Sequence, residues 1–281
     1  MSTKQNFRRQ YIAKINYCEL KEGKKMKLGA QFYSLRDKTQ TPKELKATFK
    51  AMKDVGYEIA QMSAIGPIAP ELLRDYSLVY DLPITCTHSA PDRIINDTAA
   101  LIREHIIYGC PTVGIGSMPT EYRGSIEGAR AFIKDYKEAA KRFADEGLRF
   151  AYHNHDFEFV DLGGTNAMNL LIEEFPECDF ILDTYWVKYA GHDYLQMIKD
   201  LGPARIKNVH FKDMKEEPQG PICPCGEGVI DFAPVVKLCN ELGIVNALVE
   251  QDNAPYSGDS YGQLAISYNN LKGLFEKQGD N

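Results

Sequence analysis

From Met26 onward the chain alternates between short apolar runs and longer stretches where apolar residues recur every three or four positions. The short runs predict strands over 26–35, 57–63, 83–89, 112–117, 148–155, 179–184, 204–212 and 245–251. Between and after them, helical spacing predicts helices from Thr41 to Gly56 and over 70–82, 92–108, 125–146, 165–175, 193–201, 232–242 and 262–277. Local signals agree with the spacing. Thr41 reads as a cap with Pro42 at the first helical position, and Gly56, Gly109 and Gly147 stand where helices should stop.

Strands that alternate with helices must pair in parallel, because each return crosses over through a helix. Eight such units in one unbroken rhythm predict an α/β protein, a (β/α)8 TIM barrel forming a single domain over 26–281. An open doubly wound sheet would usually carry a glycine-rich turn after its first strand, and Ser34-Leu35-Arg36-Asp37 is not one. Residues 1–25 are polar, mildly basic and without an apolar segment, which predicts a disordered or loosely docked extension rather than a secretory signal.

The chemistry gathers at one end of the strands. The stretch AYHNHDFEFV, 151–160, sets two histidines, an asparagine, an aspartate and a glutamate at the end of an apolar run. FILDTYW, IKNVHFKDM and NALVEQD repeat that form with Asp183, His210 and Glu250, and Gln31 and His88 end earlier strands. The strand starts carry only Lys27, Arg149 and Lys207 beside apolar residues. Since the C-terminal strand ends of a barrel share one mouth, these groups are expected to meet there. Carboxylates mixed with imidazole suit Mn²⁺ or Mg²⁺, with Co²⁺ or Zn²⁺ as alternatives, better than a thiolate site suits a soft ion.

Bulk properties narrow the partners. A net charge of −6, with no cluster of Lys or Arg, disfavours nucleic acid and acidic membranes. No apolar run approaches a membrane span. Seven scattered cysteines in a chain of this size point to reduced thiols and a cytoplasmic setting. Cys223-Pro224-Cys225 lacks the second thiol pair of a structural zinc site. A homo-oligomer is compatible with the sequence but is not demanded by it.

The motifs HNHDFEF, ILDT, HFKD, GEGVIDF and VEQD resemble the sugar phosphate isomerase/epimerase family. That family lies within the xylose isomerase-like barrel superfamily, which also includes ketose 3-epimerases, inosose dehydratases and AP endonucleases. The resemblance implies one divalent cation held by residues from strands 5 to 8. Carried onto this chain, the ligands are Asp183, His210, Glu250 and, from strand 5, Glu158, with His153 as the alternative. His155 and Asn154 would then face a small carbohydrate substrate. Ketose epimerases carry an imidazole three residues after the strand-6 aspartate; here Trp186 stands in that place, so the substrate surroundings differ.

The implied activity is isomerisation or epimerisation of a ketose, keto-sugar or cyclitol through an enediolate. Glu158 and Glu250 would act as acid and base on the two faces, with His155 assisting. The alternative is a lyase or dehydratase at the same site, inosose dehydratase-like or C-glycoside-cleaving. Lys212, on the same strand face as His210, would bind a substrate oxyanion or neutralise a carboxylate. Gln31, His88, His153, Trp186 and the loop residue Glu227 complete the expected substrate contacts. His105 and His192 read as packing or surface residues. A nuclease would need more imidazoles than six scattered histidines supply, and no phosphate cradle follows strands 7 or 8.

Overall fold

The computed structural model describes residues 25–276. The extension expected over 1–25 therefore lies outside the described residues, apart from Lys25. Eight parallel strands close into a barrel: β1 (Lys27–Gln31), β2 (Ile59–Met62), β3 (Ile84–Ser89), β4 (Thr112–Ile115), β5 (Arg149–His153), β6 (Cys178–Asp183), β7 (Ile206–Phe211) and β8 (Asn246–Val249). They follow one another around the ring in chain order, and β1 pairs with β8 to shut it.

Around the barrel run α1 (Pro42–Val55), α2 (Pro70–Val79), α3 (Pro91–Asn96), α4 (Thr98–Tyr108), α5 (Ile126–Asp145), α6 (Ala167–Glu174), α7 (Thr184–Tyr189), α8 (Tyr194–Arg205), α9 (Phe232–Leu242) and α10 (Ser260–Glu276). Sequence signals fix several starts. Thr41 and Glu44 form a reciprocal capping box ahead of Pro42, and Ser125 and Asn166 cap α5 and α6. The single helix expected over 92–108 is two, because Asp97 leaves helical backbone (φ −130°, ψ 30°). Strand 1 stops at Gln31 rather than running to Leu35; residues 32–38 turn into a 3₁₀ segment. The helix α7, not foreseen, begins directly after Asp183.

The barrel interior explains why the mouth is polar. Ile59, Cys86, Ala151, Ile181 and Leu248 form a buried cluster of their own. Each stands two positions before Gln61, His88, His153, Asp183 or Glu250, so strand alternation puts both sets on the inward face. The cluster is thus an apolar plug beneath the polar layer. Gly29 completes it, because a Cβ there would collide with Ile59 and Leu248. Emptying this plug with Leu248→Ala should cost about 2–5 kcal/mol of stability. On the outer side, Phe132, Tyr136, Phe143 and Phe150 pack α5 onto β5 and hold its end in place.

Candidate active site

Four side chains converge at the strand ends. His153, Asp183, His210 and Glu250 are buried, and one donor atom from each lies within 4.8 Å of all the others. His153 Nε2 is 3.3 Å from Asp183 Oδ2 and 3.7 Å from Glu250 Oε2. His210 Nδ1 is 3.0 Å from Glu250 Oε2 and 3.9 Å from Asp183 Oδ2.

The far nitrogen of each ring decides what the near one offers. His153 Nδ1 donates to the Gly116 carbonyl at 3.0 Å, and His210 Nε2 donates to Gln61 Oε1 at 2.6 Å. With those protons committed, the remaining nitrogens present lone pairs toward two carboxylates. Lys212 already brings one positive charge to these carboxylates. Imidazoles oriented by an outer acceptor, beside carboxylates, form a group that could hold a divalent cation. Asp183 is divided in the same way: Oδ1 caps α7 by accepting from the amides of Tyr185 and Trp186, which leaves Oδ2 for the cluster.

In the strand-5 position the structure places His153 where Glu158 was expected. After His153 the chain turns, and Glu158 folds back in a short 3₁₀ segment, 157–159. Its Oε1 accepts a close hydrogen bond from the Tyr152 hydroxyl, and its Oε2 accepts from the His155 amide at 2.8 Å. Burial raises this carboxyl to about 7. Glu158 is therefore a strut of the turn, and both its oxygens are engaged. Asn154 is likewise spent on structure: its amide clamps the Asp183 backbone, accepting from its N–H at 2.9 Å and donating to its carbonyl.

Lys212 is buried in the cluster. Its ammonium lies 2.9 Å from Glu250 Oε2, 3.2 Å from Asp252 Oδ2 and 3.4 Å from Asp183 Oδ2. It also lies 5.2 Å from the Trp186 ring centre. Burial alone would raise the carboxyls of Asp183 and Glu250, yet Lys212 and the imidazoles outweigh it and hold both low. Reciprocally, these carboxylates outweigh burial and keep Lys212 charged.

A cavity of about 510 Å³ opens over the cluster, walled by Tyr33, His88, His155, Lys212, Glu250 and Asp252 among others. His88 reaches Gln31 and Ser63 through Nδ1, at 3.4 and 3.3 Å, and its Nε2 has no partner. His155 Nδ1 and Asp252 Oδ1 are also buried without partners. Burial holds His88 and His155 well below the usual imidazole range, so both are neutral. Four of the histidines that look scattered in sequence thus meet here, with the rings of His88, His153 and His210 packed together. Trp186 joins through His155.

Glu227 does not reach the mouth. It is exposed and faces Lys215 at 3.7 Å. The GEG turn has another cause: the Asp213 carboxylate accepts from the amides of Met214, Gly226, Gly228 and Ile230. His105 is buried packing, as expected, and the His192 ring packs at a tilt against Phe159. Gln61 was missed: it is an amide inside the short run IAQM and carries no signal of its own. Asp252, which ends the NALVEQD run beside Glu250, lines the cavity as its place two residues on suggests.

Residues 90–255, more than half of the chain, match the family described as xylose isomerase-like TIM barrel. The chain belongs to that family. An inosose dehydratase of Erwinia tasmaniensis is 26% identical over 171 residues, covering 50% of this chain and 53% of that protein. A second, from Yersinia enterocolitica, is 28% identical over 166 residues, 47% of this chain and 51% of that one. The chain spans about half the length of these curated relatives. A sugar phosphate isomerase/epimerase structure from Parabacteroides distasonis superposes with a TM-score of 0.72 at 20% identity, covering 91% of this chain and 96% of that one. An L-ribulose 3-epimerase superposes at 0.68 with 16% identity, over 90% and 95% of the two chains. At such identities the structures share the fold.

Proposed function

We propose that this barrel is a divalent-cation-dependent isomerase or epimerase that moves a proton at carbon on a ketose, keto-sugar or cyclitol. The observation that carries the reading is the orientation of His153 and His210, each tied at its far nitrogen so that its lone pair meets Asp183 and Glu250. Mn²⁺ or Mg²⁺ held by these four residues would polarise a substrate carbonyl and make the neighbouring C–H acidic.

The chain's own groups supply the rest. His88 Nε2 and His155 Nδ1, neutral and unpartnered at the cavity wall, are suited to hold substrate hydroxyls. Lys212 offers a fixed positive charge to an oxygen that gains negative charge as the proton leaves. Proton transfer falls to carboxylates that line the cavity, Glu250 and Asp252, and Asp252 Oδ1 is free to accept. Glu158 serves this scheme by shaping the turn that presents His155, not as the acid or base.

A second reading, dehydration at the same site, is favoured by the relatives named inosose dehydratase. Incubation in D₂O with ketoses and with inosose separates the two. Deuterium at a substrate carbon with an epimer or isomer as product supports the first, and loss of water supports the second. Neither exchange nor loss of water with any substrate in Mn²⁺-loaded protein overturns both.

A further inference from the structure

The barrel ladder fixes only part of what β8 brings to the mouth. The Glu250 amide still donates to the Phe211 carbonyl, at 2.9 Å. Asp252 lies two residues further on, in a turn past the end of the strand pairing. It nonetheless lines the cavity, with Oδ2 3.2 Å from the Lys212 ammonium and Oδ1 buried without a partner. A carboxylate beyond its strand keeps a definite place only if something other than the sheet fastens its backbone.

The fastening comes across the seam where β1 and β8 close the ring, from the 3₁₀ segment 32–38. Ser34 Oγ accepts from the Gln251 amide at 2.8 Å. Arg36 takes the next residue. Its Nη2 donates to the Asp252 carbonyl at 3.0 Å, while Nη1 donates to the Tyr33 carbonyl at 2.8 Å. The guanidinium lies 4.1 Å from the centre of the Tyr33 ring, and Nη2 also donates to the Tyr256 hydroxyl at 3.2 Å. One planar fork thus joins a carbonyl on each side of the seam and is itself held against an aromatic face. Because it bonds the carbonyl of Asp252 and not the carboxylate, the carboxylate stays available to Lys212 and the cavity.

The two sides of this link do not depend on it equally. Tyr33 is held in any case, since its own amide donates to Gln31 Oε1 at 3.0 Å. Gln40 Nε2 fixes the segment as well, donating to the Arg36 carbonyl at 2.7 Å and to the Ala64 carbonyl at 2.9 Å. The segment after β1 is therefore the anchor, and Asp252 is the part that the anchor holds. Removing the guanidinium would release Asp252 while leaving Tyr33 in place.

We propose that Arg36 is a positioning residue, which sets the Asp252 carboxylate over the mouth by holding its backbone across the β1–β8 seam. The proposal rests on the reading of Asp252 as a proton-transfer group given above. Amide hydrogen exchange on the full chain, which needs neither substrate nor metal, reads the positioning itself. In Arg36→Met the amides of 251–253 should exchange roughly tenfold faster or more, with those of the strands unchanged. Unchanged exchange there overturns the proposal. A double-mutant cycle then asks whether the effect runs through Asp252. The unaltered chain, Arg36→Met, Asp252→Asn and the pair are supplied with Mn²⁺ and followed in D₂O on D-fructose, L-ribulose and inosose, for deuterium incorporation and loss of water. Arg36→Met should lower kcat roughly tenfold or more, since about 1 Å of misplacement can cost about 100-fold. In the Asp252→Asn background the same substitution should slow the reaction less than about twofold. Equal slowing in both backgrounds, or full rate in a folded Arg36→Met, overturns the proposal and leaves the reading of the mouth intact. Neither reaction in the unaltered chain overturns that reading instead.

Discussion

The ammonium of Lys212 lies 2.9 Å from Glu250 Oε2, the same oxygen that faces His210 Nδ1 at 3.0 Å. One carboxylate oxygen therefore serves a fixed cation of the chain and an imidazole lone pair together. The lysine offsets repulsion among Asp183, Glu250 and Asp252, and it competes for the oxygens that a divalent ion would need.

Lys212→Met keeps the apolar stem and removes the charge. The metal-free protein should melt at a lower temperature, because buried Asp183 and Glu250 and half-buried Asp252 lose their counter-charge. Mn²⁺ should bind roughly tenfold tighter or more, since the competing charge is gone. Calorimetric titration reads the affinity. Weaker Mn²⁺ binding in the variant would show that the lysine assists the ion instead.

The two candidates for the strand-5 ligand can be separated by stoichiometry. Glu158→Gln should still bind one Mn²⁺ per chain, whereas His153→Ala and Asp183→Ala should lose it. Elemental analysis after gel filtration is sufficient. Retention in His153→Ala together with loss in Glu158→Gln would return the role to the glutamate.

Gln61→Leu leaves His210 Nε2 without its acceptor while preserving volume. The ring is then free to turn or to move its proton to Nδ1. Loss of such an outer partner typically weakens metal affinity about 10–100-fold. A chelator-competition titration checks this, and an unchanged affinity would mean that packing alone orients the ring.

Burial holds His105 down at about 4, between Thr87 Oγ1 and the Leu101 carbonyl. Its folded value is depressed below the unfolded one of about 6.5, so unfolding takes up a proton as acidity increases. Its stabilising contribution is whole above about pH 6.5 and is lost as pH falls toward 4. The shift corresponds to about 3 kcal/mol at most. Urea denaturation across that range should show a steeper fall for the unaltered protein than for His105→Gln, and parallel curves would contradict it.

Much of this could be read from the sequence because a barrel separates its two ends. Strand-end enrichment picked out Asp183, His210, Glu250 and His88, which the fold brings together at the mouth, since alternation along a parallel strand fixes which residues point inward. The same logic failed in 153–158, where donors are dense and the strand stops. His153 is the last residue of β5, and beyond it the path of the chain depends on the hydrogen bonds of Glu158 to Tyr152 and His155. Those bonds are tertiary, and no spacing rule encodes them. Glu227 misled for a related reason: two glycines around an acid resemble a binding turn, but it is Asp213, thirteen residues before Gly226, that organises the loop.

Closure of the ring through β1 and β8 also bears on how the protein is made. The four donors come from β5 through β8, and the last of them sits at position 250. A growing polypeptide whose final strand is still within the ribosome has no full donor set, and it leaves β1 and β7 each lacking a neighbour, as open edges prone to pair with other chains. During translation a cation taken by these four residues could do nothing for this protein; shelter for those two edges is what the nascent chain needs.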